Sequence, residues 1–400
     1  MKVVHISTTD YGGAYRAAAN ISRAMNMCGV SSSVLVREKH SDEDVIPVCD
    51  TFGKLFLSKA KNLFNLLCSR GEIVNDVFGT DITGRPEVQQ ADVIILHWIN
   101  SFISYSEVAK LCSMGKPVFW VMHDMWCFTG GCHLDYGCGR YSEKCGKCPI
   151  LHSVQENDMT ERIFRNKLKI WNGADITAVG PSRYMAECAS HSEIFRNKQI
   201  INIANPVDTD IFRREEYDKN ETDKKTVMFG ALKPGEIWKG MDMLAEALGH
   251  LDKDKYKVLT AGKTENIERL NIPLDAVNAG MVSEQKKMAE LYSKADVYVI
   301  PSRQENLSNS VLEAMSCGIP TVAFDIGGMS DMIEHKRNGY LAKPFDTEDI
   351  ACGIEYCAAH KDELGKYARQ KTENEFSMKV IGDKYARLCT GACEHNNNNL

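Results

Sequence analysis

The chain has 400 residues, 44% of them hydrophobic and 26% charged, with a formal net charge of −6. Such a chain is an ordinary globular protein too long for one hydrophobic core, and its acidic balance argues against a nucleic-acid binder. The fifteen cysteines are an odd number in a long chain, which argues against a full disulfide framework.

The N-terminus, MKVVHISTTDYGG, carries too short an apolar run for a signal peptide and reads as a first strand and its turn. Gly12-Gly13 then opens a predicted helix from Ala14 to Met27. Glycines there permit a tight turn, or the approach of a ligand to the unpaired N–H groups of a helix start. Strand-like runs follow at 33–36, 93–96, 118–122, 176–179 and 200–203, after the first at 3–6. Two of them end in histidine, at His97-Trp98 and at His123-Asp124. Past a charged stretch at 213–225 the pattern restarts, with strands at 226–230, 257–262, 297–300 and 321–324. The alternation of strand and helix predicts parallel, doubly wound sheets, and the restart predicts two of them. No run of about 18 apolar residues predicts a transmembrane helix, so the expected compartment is a reducing cytoplasm. The tail His395–Leu400 is a polar tract expected to be disordered.

Three further segments carry candidate chemistry. Cys132, Cys138, Cys145 and Cys148 fall within seventeen residues, relieved by glycines, and four thiolates suit tetrahedral zinc. The alternative is a loop of reduced or disulfide-linked packing cysteines. Lys54 to Arg70 sets Leu55, Phe56, Leu63, Phe64, Leu66 and Leu67 among four basic residues with no acid, and RIFRNKLKIW at 162–171 is similar. Such helices either lie on an anionic membrane surface or pack on their own domain with the lysines in water. Asp208-x-Asp210 is read as a pair of structural acids at a turn.

The segment Pro301 to Ile319, PSRQENLSNSVLEAMSCGI, follows the strand at 297–300. Read as one helix turning about 100° per residue, it would bring Glu305 and Glu313 to roughly one face. Two carboxylates above the carboxyl edge of a parallel sheet suit a polyhydroxylated ligand. Glu305-x7-Glu313, with Ala314-Met315-x-Cys317-Gly318-x-Pro320 and Gly327-Gly328 behind it, resembles the donor site of retaining family-4 glycosyltransferases of the GT-B fold, glycosyl transferases group 1. The resemblance runs from about residue 1 to about residue 380.

It implies two Rossmann-like domains facing across a cleft. These are an acceptor-side domain at 1–205 with its Cys-rich loop at 127–148, and a nucleotide-sugar domain at 206–378. A helix at 379–394 would cross back to the first. It implies a hexosyltransferase-type enzyme that moves a sugar from a UDP- or GDP-sugar to a glycan or lipid-linked saccharide in surface polysaccharide synthesis. No cofactor or metal would be needed for transfer, and zinc in the cysteine loop would be structural. Glu313 would hold the ribose, Lys239 the diphosphate and Glu305 the sugar, with Asn306, Leu307, Ser308 and Asn309 lining the donor. Gly13 and His123 would serve from the first domain, with His123 on a sugar hydroxyl. Where the family places an arginine in Gly-Arg-Leu, this chain has Gly230-Ala231-Leu232, with Lys233 beyond as a substitute cation. Peripheral contact with a membrane's inner face is compatible with a lipid-linked acceptor. A nucleotide-sugar epimerase on the same fold and a non-catalytic nucleotide-sugar binding protein are the rival readings.

Overall fold

In the computed structural model the described residues are 1–215, 224–231, 237–262, 268 and 270–398. The chain divides into two compact units, one of residues 1–206 with 381–400 and one of residues 207–380.

The first unit is built on β1 (Lys2–Ser7), β2 (Ser31–Val36), β3 (Ile46–Pro47), β4 (Val93–Leu96), β5 (Val118–Val121), β6 (Thr177–Gly180) and β7 (Ile200–Asn202). They form one parallel sheet in the order β3-β2-β1-β4-β5-β6-β7. Parallel strands joined by helical crossovers are covered on both faces, which is why Val-Ile-Ile-Leu and Val-Phe-Trp-Val are apolar throughout and wholly buried. Alternation still sorts the side chains. Val4, Ile6, Ile94, Leu96, Val118 and Trp120 join one core cluster, and Val3, Val93, Ile95, Phe119 and Val121 join another.

The second cluster is sealed by the helix Met378–Asn398, whose Ile381, Tyr385 and Cys389 recur every four residues and are fully buried. Gly382 permits the approach, because a Cβ there would run into the Ala24 carbonyl oxygen and Cys28 Sγ. The helix runs on through Asn398, into the tail expected to lack order, while 399 and 400 lie outside the described residues. Its backbone continues the i→i−4 ladder of an already docked helix, so the polar asparagines need no nucleus of their own.

On the opposite face, Trp120, Trp126 and Trp171 pack together, with ring centroids 5.2 to 6.5 Å apart. Fully buried Lys167 lies 3.6 Å from the centre of the Trp126 ring and donates to the Trp126 and Thr129 carbonyls. Burial lowers its ammonium to about 8. Ile163, Phe164 and Trp171 of the same helix are buried, so the segment 162–171 is a packed helix.

The second unit repeats the plan with β8 (Lys225–Ala231), β9 (Tyr256–Gly262), β10 (Ala276–Asn278), β11 (Val297–Ile300), β12 (Thr321–Phe324) and β13 (Gly339–Ala342), ordered β10-β9-β8-β11-β12-β13 and parallel. In each sheet the winding reverses beside the first strand, at β1/β4 and at β8/β11, and ligands bind at such switch points in open α/β sheets.

Among the described residues the Tyr385 hydroxyl is buried without a hydrogen-bond partner. An unpaired hydroxyl opposes folding by about 1–3 kcal/mol. Tyr385→Phe should therefore hold or raise the stability of the first unit, while Tyr385→Ala should lower it by about 3 kcal/mol or more through the cavity it leaves. Denaturant unfolding of the two variants checks both signs.

Candidate functional site

The site in the second unit is assembled from two segments at the switch point. After β11 the chain forms a loop and re-enters helix only at Asn309–Ser316. Glu305 therefore sits in the loop and Glu313 in the helix, so helical spacing does not relate them as the sequence reading supposed. What relates them is Tyr298 of β11, whose hydroxyl is pushed up to about 12 by burial, with both carboxylates adding to the effect and a hydrogen bond with Ser310 opposing it.

Lys239 closes a short turn of 3-10 helix, Ile237–Lys239, and its Nζ lies 2.9 Å from Glu305 Oε2. The ammonium also lies 3.9 Å from the centre of the Trp238 ring. Ser302 Oγ donates to the same carboxylate oxygen at 3.2 Å. Glu313 is 4% exposed and accepts from the Tyr292 hydroxyl at 3.1 Å. Burial, then the neighbouring carboxylate, raises the Tyr292 pKa well above its ordinary value, so that hydroxyl remains a donor. Leu307 and Ser308 are buried, and Ser308 Oγ and Ser310 Oγ lie 2.9 Å apart at the helix start. The N-terminus of that helix, beginning at Asn309, directs backbone N–H groups toward the loop.

Sequence reasoning missed what holds the loop. Arg303 forms a two-pronged pair with Asp242 at 2.8 and 2.6 Å, donates to the Ile237 carbonyl at 2.7 Å, and takes its backbone N–H to the Trp238 carbonyl. The loop is thereby fastened to the segment that carries Lys239. Gly240 and Gly327 both have positive φ, and a Cβ on either would collide with a carbonyl of the loop, Pro301 or Glu305. These glycines, including one of the Gly327-Gly328 pair, are required by contact with the loop backbone. Lys233, the suggested substitute cation, and Leu232 lie outside the described residues.

In the first unit Gly12 has φ +87° and precedes the helix Gly13–Met27, so Gly13 stands at that helix's N-terminus. At the carboxyl edge His123 and Asp124 are partly exposed and share a small recess with His97, Trp98 and Asn100. His97 Nδ1 and His123 Nε2 are hydrogen-bonded at 2.9 Å, and His5 Nδ1 and His97 Nε2 at 2.8 Å. Asp124 pairs with His133 at 2.8 Å. Burial alone would lower the His133 pKa, but the Asp124 carboxylate outweighs it and the net shift is upward. His133 belongs to the cysteine-rich loop, so that loop reaches the strand end at Asp124.

For the four cysteines the sequence leaves two readings open, a metal cage or a loop of packing cysteines. Among the described residues no three His, Cys, Asp or Glu side chains are grouped so as to hold a metal ion. Cys145 Sγ accepts from the Gly130 N–H at 3.2 Å, and Cys148 packs with Ile73 and Ile163. Burial raises the thiols of Cys132 and Cys145 to about 12 and that of Cys148 upward, which favours the protonated form. None of the cysteines, Cys138 included, is in a disulfide. The Asp208 carboxylate accepts from the backbone of Asp210 and Ile211, at 3.2 and 3.1 Å, the work of a turn.

Residues 223–360 match the family model of the glycosyl transferases group 1. The chain is 29% identical over 221 residues to the sulfoquinovosyl transferase SQD2 of Arabidopsis thaliana, an alignment that takes in 52% of this chain and only 37% of the plant protein. It is 25% identical over 310 residues to WcaC of Escherichia coli (strain K12), whose name assigns it as a glycosyl transferase to colanic acid biosynthesis; 74% of this chain and 72% of that protein are aligned. Anabaena Alr3699/HepE, solved in complex with UDP and glucose, superposes with a TM-score of 0.66 at 15% identity, over 98% of this chain and 99% of that one. The fold is GT-B, and the segment 223–360 is similar to the glycosyl transferases group 1.

The buried histidines make an acid-stability prediction. Burial lowers His5 to about 3 and His123 to about 4, and lowers His97 well below its ordinary value. The unfolded chain, with histidines near 6.5, binds protons that the folded chain refuses, so stability falls as pH drops below about 6.5. Each such group contributes up to about 1.4 kcal/mol per pH unit until its folded pKa is reached. Unfolding followed from pH 7 to 4 should show this loss, and His5→Leu should flatten it.

Proposed function

We propose that this chain is a retaining glycosyltransferase that moves a sugar from a nucleotide-sugar to a glycan or lipid-linked saccharide. The observation that carries the reading is the Lys239–Glu305 pair, held beside buried Glu313 at the β8/β11 switch point. In this reading the diphosphate competes with Glu305 for Lys239. The ammonium then neutralises charge that builds on the departing diphosphate, and the released carboxylate accepts a sugar hydroxyl. The helix start at Asn309 adds backbone donors for the phosphates, with Asn306, Leu307 and Ser308 walling the donor. Glu313 takes the ribose. Within the first unit, Gly13 and His123 stand at the carboxyl edge of its sheet, where a saccharide would be met. Catalysis rests on positioning and charge stabilisation, with no metal on the diphosphate. The UDP and glucose in the HepE structure support a UDP-sugar as donor.

A thermal-shift comparison of UDP-, GDP- and ADP-glucose selects the nucleotide. Glu313→Ala and Lys239→Ala should each weaken its binding by about 1–3 kcal/mol in calorimetry. Unchanged affinity in both would remove the donor site from this position. Sugar transfer that survives EDTA completes the reading, whereas binding without turnover would mark a nucleotide-sugar binding protein.

The lipid-linked acceptor is favoured by the helix Phe52–Leu67, whose amphipathicity is inverted. Its buried residues are Ser58 and Asn65, while Phe52, Phe56, Leu57, Leu63, Phe64, Leu66 and Leu67 are exposed. Asn65 holds it down through Asp76 and both backbone groups of Phe78. Basic residues and no acids accompany the apolar ones from 51 to 71, which suits an anionic lipid surface. Among the described residues no helix is long and apolar enough to cross a membrane. Sedimentation with phosphatidylglycerol vesicles should capture the protein in a salt-sensitive manner. Phe56→Asp with Leu63→Asp should reduce capture at least tenfold, since each side chain withdrawn from lipid forfeits about 1.5–3 kcal/mol. Equal capture of the double variant would assign the face elsewhere.

A further inference from the structure

Lys239 sits on a turn that has no core of its own. None of Ile237, Trp238 and Lys239 is buried, and Ile237 is 75% exposed. Packing of an apolar face fixes most helical segments, and a single turn without one does not hold itself. Polar contacts with its neighbours fix it instead. On one side the turn runs through Gly240 into the helix Met241–Gly249, whose Leu244, Ala247 and Leu248 are buried in the core of the second unit. On the other side stands Arg303.

Arg303 holds the turn twice. Its backbone N–H donates to the Trp238 carbonyl at 2.7 Å, and its Nη1 donates to the Ile237 carbonyl at 2.7 Å. Asp242, in the first turn of the helix, aims the guanidinium, accepting from Nη1 at 2.8 Å and from Nη2 at 2.6 Å. Two bonds between a planar guanidinium and a carboxylate fix direction as well as distance. The Arg303 side chain is 29% exposed and that of Asp242 68%, so water screens the pair and it adds little to the stability of the fold. What it fixes is the path of the two residues before Lys239. The Lys239 Nζ then lies 2.9 Å from Glu305 Oε2 and 3.9 Å from the centre of the Trp238 ring. An ammonium is held by an indole only over its face, so a small rotation of the turn carries Nζ off both partners.

We propose that Arg303, aimed by Asp242, is a positioning residue for Lys239. It sets the turn so that the ammonium stands over the Trp238 indole and against Glu305, where a diphosphate can take it. The diphosphate rests on the function proposed above. Arg303 acts through the turn and does not touch the ligand, because its two terminal nitrogens are committed to Asp242 and the Ile237 carbonyl.

Two measurements on the full chain test this. In ligand-free protein labelled with ¹³C at lysine Cε, the indole ring should shift the Lys239 methylene protons upfield, and Lys239→Met assigns the signal. Arg303→Met and Asp242→Asn should each return that signal toward the other lysines and leave the denaturant midpoint nearly unchanged. A signal that stays in place in both variants, or a midpoint that falls with it, overturns the positioning role. Calorimetry with UDP, GDP and ADP then reads the consequence. For the diphosphate that binds, Arg303→Met and Asp242→Asn should each weaken affinity about tenfold, and neither should weaken it further once Lys239 is Met. Equal weakening with and without the lysine overturns the proposal, since Arg303 would then act on the ligand itself. So does tighter binding by Asp242→Asn, the mark of a freed guanidinium taking the phosphates. If Lys239→Met leaves every affinity unchanged while the methylene signal moves as expected, the positioning stands, and it is the donor site proposed above that is removed from Lys239.

Discussion

Both sheets are wholly parallel, and from that constraint the placement of every candidate functional residue follows. A parallel strand is covered on both faces by the crossovers that join it to the next, so its interior has room for apolar side chains and little else. Chemistry is displaced to the carboxyl edge, where strands give way to loops and helices begin. Lys239 and Glu305 stand there in the second unit, and Gly13, His97 and His123 in the first. The reversal of winding at β1/β4 and β8/β11 parts the loops at those points and leaves a place for a ligand. His5 is a polar ring inside a buried strand, and it is bonded there to the ring of His97.

The apolar runs of β1, β4, β5, β11 and β12 were legible because a doubly covered strand has no polar alternation to confuse with a helix. The edge strands β3, β10 and β13 were not. Ile-Pro and Ala-Val-Asn are too short to carry a pattern, and they pair only because a neighbouring strand offers a free edge. At the site, Glu305, Glu313 and Lys239 were found by a resemblance of motifs, while the helix imagined to join the two carboxylates begins four residues after the first of them. The Arg303–Asp242 clamp spans 61 positions, and no local signal announces a partner at that distance. His5 did leave a trace, a titratable residue in the run Val-Val-His-Ile, but nothing in a single strand names the histidines on two others. The cysteines left two readings open. Their spacing suggested ligation, yet the fold places Cys145 under a backbone N–H and Cys148 among aliphatic side chains.

The two basic amphipathic helices have similar sequences and opposite fates. In 162–171 the apolar residues turn inward around Lys167, whose ammonium finds carbonyls and an indole face to replace water. In Phe52–Leu67 the inward positions are taken by Asn65, which alone supplies three hydrogen bonds to the segment beneath. Once Asn65 is committed to the protein, the rotation of the helix is set and its phenylalanines and leucines have nowhere to go but outward. One polar residue thus decides which face a helix presents.

The two units also stabilise their polar groups by different physics. The second pairs full charges, Lys239 with Glu305 and Arg303 with Asp242, at partly exposed positions where water and salt screen them. Such pairs are loosely held, so either partner can be exchanged for another charged group. The first unit keeps His5 and His97 shielded, where burial favours the neutral ring and a hydrogen bond is stronger. A bond between buried neutral rings is insensitive to salt. A shielded neutral bond holds one geometry, whereas an exposed ion pair can exchange its partner.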